Sequence, residues 1–250
     1  MRTLTYHDVA PRSERDAVGF PGPLAARYKL EPRDFEAHLD ALRESGVRVG
    51  ADDASAGVAL SFDDGGASGL RVAEALERRG WRGLFFITTS RMDTPGFLSR
   101  AEVRELARRG HVVGSHSHSH PTYMGRLSRE ELDREWVHSR GELAEVLSSP
   151  PPIAAVPGGF VSAEVIRSAA AAGYEALFTS EPTARAQQRE LLVRGRFTIW
   201  STTPARVAAA YARGAPLAVG RLWLEWNAKK LAKSVSADAY QSLRRVRARL

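Results

Sequence analysis

Not one of the 250 residues is cysteine. Disulfides, thiolate nucleophiles and cysteine-ligated zinc are thereby excluded, and a chain without thiols tolerates either redox state of its surroundings. No stretch approaches the ~20 consecutive apolar residues of a membrane span. The opening residues Met1-Arg2-Thr3-Leu4-Thr5-Tyr6-His7 enter an apolar strand pattern at once, without the hydrophobic stretch and small-residue cleavage site of an export signal, so the expectation is a cytoplasmic protein. Histidine is sparse, with seven in all and none after His138. The formal net charge is +7, and residues 221–250 supply most of it, with eight Lys or Arg against Glu225 and Asp238. Because that excess is confined to the end of the chain and no recognition motif accompanies it, nucleic acid is not an expected partner.

The scarce histidines are not scattered. His116-Ser117-His118-Ser119-His120-Pro121 follows about fifty residues after Ser61-Phe62-Asp63-Asp64-Gly65. The run Val58-Ala59-Leu60-Ser61-Phe62 reads as a buried strand that stops at a glycine turn, which puts both carboxylates at the strand's C-terminal end. Side chains alternate along extended backbone, so one aspartate can ligate a metal while its neighbour reaches the site from another angle. His116 and His120 are four apart and would share a face if the segment makes one helical turn, leaving His118 to point elsewhere. An H-x-x-x-H alone reads as a solvated polar loop; joined to the aspartate pair it reads as a divalent-metal site. Three protein ligands leave an open position on the ion, the arrangement of a hydrolytic centre.

With these residues in hand, the sequence resembles the polysaccharide deacetylases, the NodB-homology group also called family four carbohydrate esterases. The family's T/S-F-D-D-G motif is matched by Ser61 to Gly65 and its H-S/T-x-x-H-P motif by His116 to Pro121. The resemblance implies Asp64, His116 and His120 as metal ligands and Asp63 as general base. A third motif, R-x-P-x-G, corresponds to Ala155-Val156-Pro157-Gly158-Gly159, so an alanine stands where the family has an arginine that pairs with the base. Asp63 is then expected to lack a neighbouring positive charge that favours its ionised form. The main-chain N–H of Gly158 is the implied oxyanion donor, although Pro-Gly read by itself is an ordinary turn.

The leaving amine needs a proton, and most of the family takes it from a late histidine that this chain does not have. Tyr6-His7-Asp8-Val9 instead resembles a rearranged branch in which the histidine segment comes first, making His7 the general acid and Asp8 its nearest carboxylate. Read alone, His7 is a strand-end histidine. The family's fourth motif, an acidic segment with tryptophan, is not identifiable.

Elsewhere, strands and helices alternate. Pro32, Phe35, Leu39, Leu42 and Gly46 mark a helix over 31–46, with His38 half-buried beside its apolar stripe. A helix from Leu70 to Arg79 leads to a strand over 83–88. Ser99 with Glu102 and Ser128 with Glu131 have capping-box form. Between them His111-Val112-Val113-Gly114 reads as a strand that delivers His116, with His111 structural and His138 facing solvent. Pro150-Pro151-Pro152 leads into a strand at 153–156, then a helix over 163–172 and a strand over 174–179. Such repetition implies a mainly parallel sheet that closes readily into a barrel, with reactive groups at the strands' C-terminal rim.

The fold class expected is therefore α/β, a distorted (β/α) barrel of NodB-homology type, with residues 1–215 as the catalytic barrel and 216–250 as a basic amphipathic helical extension. In that tail Tyr240, Leu243 and Val246 recur at three-residue spacing among arginines; a helix packed on the barrel is expected, with peripheral contact to an anionic membrane through 221–250 as its alternative. The function expected is hydrolytic removal of an N-acetyl group from an amino sugar of a glycan or glycan precursor, with zinc first and cobalt, nickel or iron admitted by the same ligands. Two rivals stand beside it: hydrolysis of a non-sugar amide, and a silent glycan-binding or scaffold protein of the same fold.

Overall fold

The computed structural model describes residues 1–51, 57–159 and 161–235, with side chains described to 228. Its core is one sheet. Strand β1 (Arg2–Tyr6) is followed by a short helix α1 (Pro23–Ala26) and by α2 (Pro32–Glu44), which starts with proline in its first turn and buries Phe35, Leu39 and Leu42. Then come β2 (Val58–Phe62), α3 (Gly69–Glu77), β3 (Leu84–Ile87), α4 (Arg100–Arg108), β4 (Val112–Ser115), α5 (Arg129–Leu147), β5 (Ile153–Ala155), α6 (Ala163–Ala171) and β6 (Ala176–Phe178). Both capping boxes form: the Ser99 and Ser128 hydroxyls accept from the Glu102 and Glu131 amides, and each glutamate accepts in return from its serine's backbone N–H. All five residues of β2 are buried, which explains its uninterrupted apolar reading.

The chain after residue 179 carries elements the sequence pattern does not announce, β7 (Ala186–Gln188), β8 (Leu192–Arg194), β9 (Phe197–Thr198) and α7 (Ala205–Arg213), followed by α8 (Pro216–Val235) in the stretch where a helical extension is expected. The sheet order is β7-β8-β6-β5-β4-β3-β2-β1-β9, parallel throughout except for the β7–β8 pair. Seven inter-strand steps separate β8 from β9, a span of about 34 Å if the sheet were flat. Yet only Gly195 and Arg196 connect Arg194 to Phe197, a reach of at most about 11 Å. The sheet must therefore curl until its two ends meet, and the result is the distorted barrel. Arg196 sits in that seam.

His38 is deeper than the half-buried edge position expected, at 1 % exposed. Its Nε2 lies 2.9 Å from the Thr203 carbonyl and its Nδ1 3.3 Å from the Tyr6 hydroxyl, because the segment leading into α7 covers α2. Burial lowers its pKa, and the neutral ring is a structural hydrogen-bond bridge. His111 is structural as well, accepting from the Gly83 amide and lying 2.9 Å from Glu77. Ala218, Val219 and Leu222 of α8 pack against the main core, while Leu217 and Leu224 are 91 % and 64 % exposed. The expected amphipathic stretch with Tyr240, Leu243 and Val246 lies outside the described residues. No helix among them is long and apolar enough to cross a membrane.

Candidate active site

Parallel pairing aligns the ends of β1 and β2, with Tyr6 opposite Phe62, and of β3 and β4, with Ile87 opposite Ser115. His7, Asp63 and His116 each follow immediately, so one rim receives them all. Asp64 then adopts φ 77 and Gly65 φ 79, a left-handed kink held by the Thr88 amide on the Asp64 carbonyl and the Leu98 amide on the Gly65 carbonyl. Such a backbone is unfavourable for a non-glycine residue by about 1 kcal/mol or more. Its effect is to turn the second carboxylate toward the same histidines as the first: His116 Nε2 is 3.5 Å from Asp64 Oδ1 and 3.8 Å from Asp63 Oδ2.

The histidine loop departs from the helical turn expected of it. Ser117 and His120 have φ 64 and 59, and the residues after β4 form no helix. The loop is shaped instead by Glu135 of α5, whose carboxylate accepts from the His118 and Ser119 amides and the Ser119 hydroxyl, and by Ser117, whose hydroxyl accepts from the His120 amide. Two left-handed residues do what a helical turn would have done. His120 Nε2 comes to 3.3 Å from Asp64 Oδ1, while His118 turns away to Thr89, 3.0 Å from its hydroxyl.

Asp64, His116 and His120 offer ligand atoms that all lie within 4.8 Å of one another. The donor set fits a divalent cation on two further counts. The Asp64 Oδ1 atom is buried and, among the described residues, makes no well-formed hydrogen bond, although the Nε2 atoms of His120 and His116 lie 3.3 and 3.5 Å away; an ion between them would satisfy it. His116 donates from Nδ1 to the Ala155 carbonyl at 3.0 Å, which leaves the Nε2 lone pair facing the aspartates. Burial pushes the His116 pKa down to about 4, so the ring is the neutral ligand form across the physiological range. Asp64 is held well below the usual carboxylate range: burial raises it, but the His120 ring 3.3 Å from its Oδ1, with His7 and His116, outweighs burial.

Asp63 does not lack its arginine. Arg196, 1 % exposed, donates from its two terminal nitrogens to the two carboxylate oxygens at 2.6 and 2.9 Å. It also reaches the Ser61 hydroxyl, donates from Nε to the Thr179 carbonyl, and lies over the Phe86 ring at 5.4 Å. The positive charge expected to be missing with Ala155 is thus supplied from the barrel seam, 133 residues away in sequence. Burial raises the Asp63 pKa, and the charge of Arg196 more than offsets it, with help from His116 and His7, so the carboxylate stays ionised. The only signal in the sequence was negative, since a base without an arginine at 155 needed a cation from elsewhere.

His7 faces the same cluster, for its charge bears on both aspartates, and its ring packs on Tyr28 at 4.4 Å. No hydrogen bond or close ion pair with Asp8 is among the described contacts, although the His7 charge does favour the ionised Asp8. Asp8 accepts instead from the Ser68 hydroxyl at 2.7 Å, and its carboxylate fills the space beside Gly66, where an added Cβ would lie 2.0 Å from Oδ1. Burial, reinforced by the charge of Asp64, pushes the Asp8 pKa from 3.8 up to about 6. Between those values the native state keeps a proton that the unfolded chain has released, so stability falls as pH rises through this window. Asp8→Asn stays neutral and keeps an oxygen for Ser68. The expected result is little change in Tm at pH 4 and a gain at pH 7.5, on the order of 1–3 kcal/mol; an equal difference at both pH values would contradict it. Gly158, at φ 62, is exposed at the end of β5.

The family model for polysaccharide deacetylases matches residues 50–177, just over half of the chain. Among solved structures, the polysaccharide deacetylase BC0361 from Bacillus cereus superposes with a TM-score of 0.71 at 20% identity, covering 84% of this chain and 68% of that one. IcaB from Ammonifex degensii gives 0.67 at 22% identity, over 85% and 96%. The Streptococcus pyogenes deacetylase PplD, solved with acetate, gives 0.67 at 18% identity, over 82% and 94%. At these identities the structural likeness speaks for the fold, and no curated protein sequence matches the chain. The family match spans the aspartate pair and the histidine loop that the barrel brings together, and the chain belongs to the polysaccharide deacetylase family.

Proposed function

We propose that the protein removes an N-acetyl group from an amino sugar of a glycan or glycan precursor, with a divalent cation held by Asp64, His116 and His120. The observation that carries this reading is an ionised aspartate, Asp63, locked by Arg196 next to a buried carboxylate–imidazole triad. A divalent cation held by these residues, zinc in the first instance, would supply a lowered pKa for the attacking water and polarisation of the acyl carbonyl. Asp63 takes the proton of that water as its oxygen bonds to the carbonyl carbon. The backbone N–H of Gly158 donates to the developing oxyanion. His7 gives a proton to the amide nitrogen as the C–N bond breaks, leaving acetate and a free amine. Asp63 cannot itself be a ligand as readily as Asp64, because both its oxygens are already engaged by Arg196.

Arg196 also bears on the silent-module reading, whose grounds are the missing motif arginine and the absent late histidine. It removes the first of them. The test is metal analysis of the purified protein followed by acetate release from N-acetylated oligosaccharides with and without chelator. About one divalent ion per chain is expected, with turnover lost on chelation and restored by zinc or cobalt; bound metal without release of acetate from any acylated amine would favour the silent module.

A further inference from the structure

Two arginines flank the reacting groups, each laid on an aromatic ring that leads to a catalytic histidine. On one side His7 packs on Tyr28, Tyr28 stacks on Trp200 at 4.5 Å, and the Arg27 guanidinium lies 5.3 Å over the Trp200 ring. The Ser201 amide on the Arg27 carbonyl, at 2.7 Å, ties these two segments together. On the other side His120 packs on Phe20 at 4.7 Å, Phe20 meets Phe97 edge-on, and the Arg91 guanidinium lies 5.3 Å over Phe20 and 6.0 Å from Phe97. Lys29 holds the Phe20 segment in place, donating to the carbonyls of Arg15, Val18 and Phe20.

Both arginines are exposed. Several arginines on the coat of the barrel pair with a carboxylate, as Arg79, Arg109 and Arg129 do. Among the described residues none pairs with Arg27 or Arg91. Amide hydrolysis at the central site needs no cation at either position, because Arg196 already serves the base. A guanidinium stacked on an aromatic face has its rotamers restricted while its edge N–H groups stay free for bidentate contact with a planar or tetrahedral anion.

We propose that the substrate is an anionic glycan, with the acetylated sugar over the metal triad and carboxylate or phosphate groups on its neighbours bound by Arg27 on the His7 side and Arg91 on the His120 side. This rests on the deacetylase reading and names the substrate class for that site. The test compares acetate release by the metal-loaded full chain from three probes: a neutral chitin hexasaccharide, a hyaluronan hexasaccharide carrying uronates, and UDP-N-acetylglucosamine carrying a pyrophosphate. At low salt at least one acidic probe is expected to exceed the neutral one in kcat/KM by about tenfold, with the advantage collapsing at high ionic strength. Arg27→Gln and Arg91→Gln are each expected to reduce the acidic-to-neutral ratio by about tenfold, the loss of one charge-assisted bidentate contact. Which acidic probe leads distinguishes uronate from phosphate. A preference for the neutral hexasaccharide, or a ratio unmoved by both variants, overturns the proposal. If no probe releases acetate the deacetylase reading fails, and calorimetric binding of the acidic probes to wild type and both variants still decides the anion site.

Discussion

Arg196→Ala is expected to lower kcat/KM by at least about 100-fold, the lower range for losing a competent general base, while the metal content of the protein stays near one per chain. Arg196 touches neither the triad nor the substrate position, so its effect runs through Asp63. Wild-type Asp63 is held below its ordinary pKa because the guanidinium charge outweighs burial. With that charge removed, burial is opposed only by His116 and His7, and the pKa rises. The base is then protonated over more of the acidic range, so the acidic limb of the kcat/KM profile moves to higher pH. Removing one member of a buried ion pair also destabilises by about 3–5 kcal/mol, and the Thr179 carbonyl and Ser61 hydroxyl lose a donor at the same time. Arg196→Lys guards against reading misfolding as lost catalysis. It keeps the charge without the two-pronged grip, so it should hold the acidic limb near its wild-type position while restoring only part of kcat. An Arg196→Ala protein that folds and shows an unmoved acidic limb would rule out this role.

Two adjacent aspartates should fail in different ways. Asp64→Ala removes the carboxylate that both histidine Nε2 atoms approach at 3.3 and 3.5 Å. It is expected to cut metal affinity by more than the about 10–100-fold typical of outer contacts, and activity with it. Asp63→Asn leaves those contacts in place. Its metal content should remain at wild-type level while acetate release falls by about 10²–10⁴-fold. Elemental analysis alongside acetate release separates the two; equal metal loss in both variants would mean that the carboxylates share the ion and that the division of labour is wrong.

The parts of this protein that could be read from sequence are those in which local geometry carries the chemistry. Ser99 with Glu102 and Ser128 with Glu131 formed their boxes because a capping box needs only four consecutive residues. Asp63 and Asp64 stood at a strand end because a run of five residues, four of them apolar, precedes a glycine turn. The histidine loop was legible in composition but not in shape. Its ligands converge through left-handed Ser117 and His120 and through Glu135 on a later helix, and no spacing rule encodes that anchor. The hydrogen-bond partner of Asp8 was hidden for a related reason, since Ser68 lies 60 residues away in sequence.

The sequence by itself determined the chemistry available: no thiols, two carboxylates side by side, and histidines at a spacing that suits one ion. Only the tertiary structure decided how Asp63 is held ionised. The partner of Asp63 lies 133 residues downstream, in a two-residue bridge whose position depends on the curl of a nine-stranded sheet. That curl is a sum of many small strand twists, and no stretch of the chain contains it.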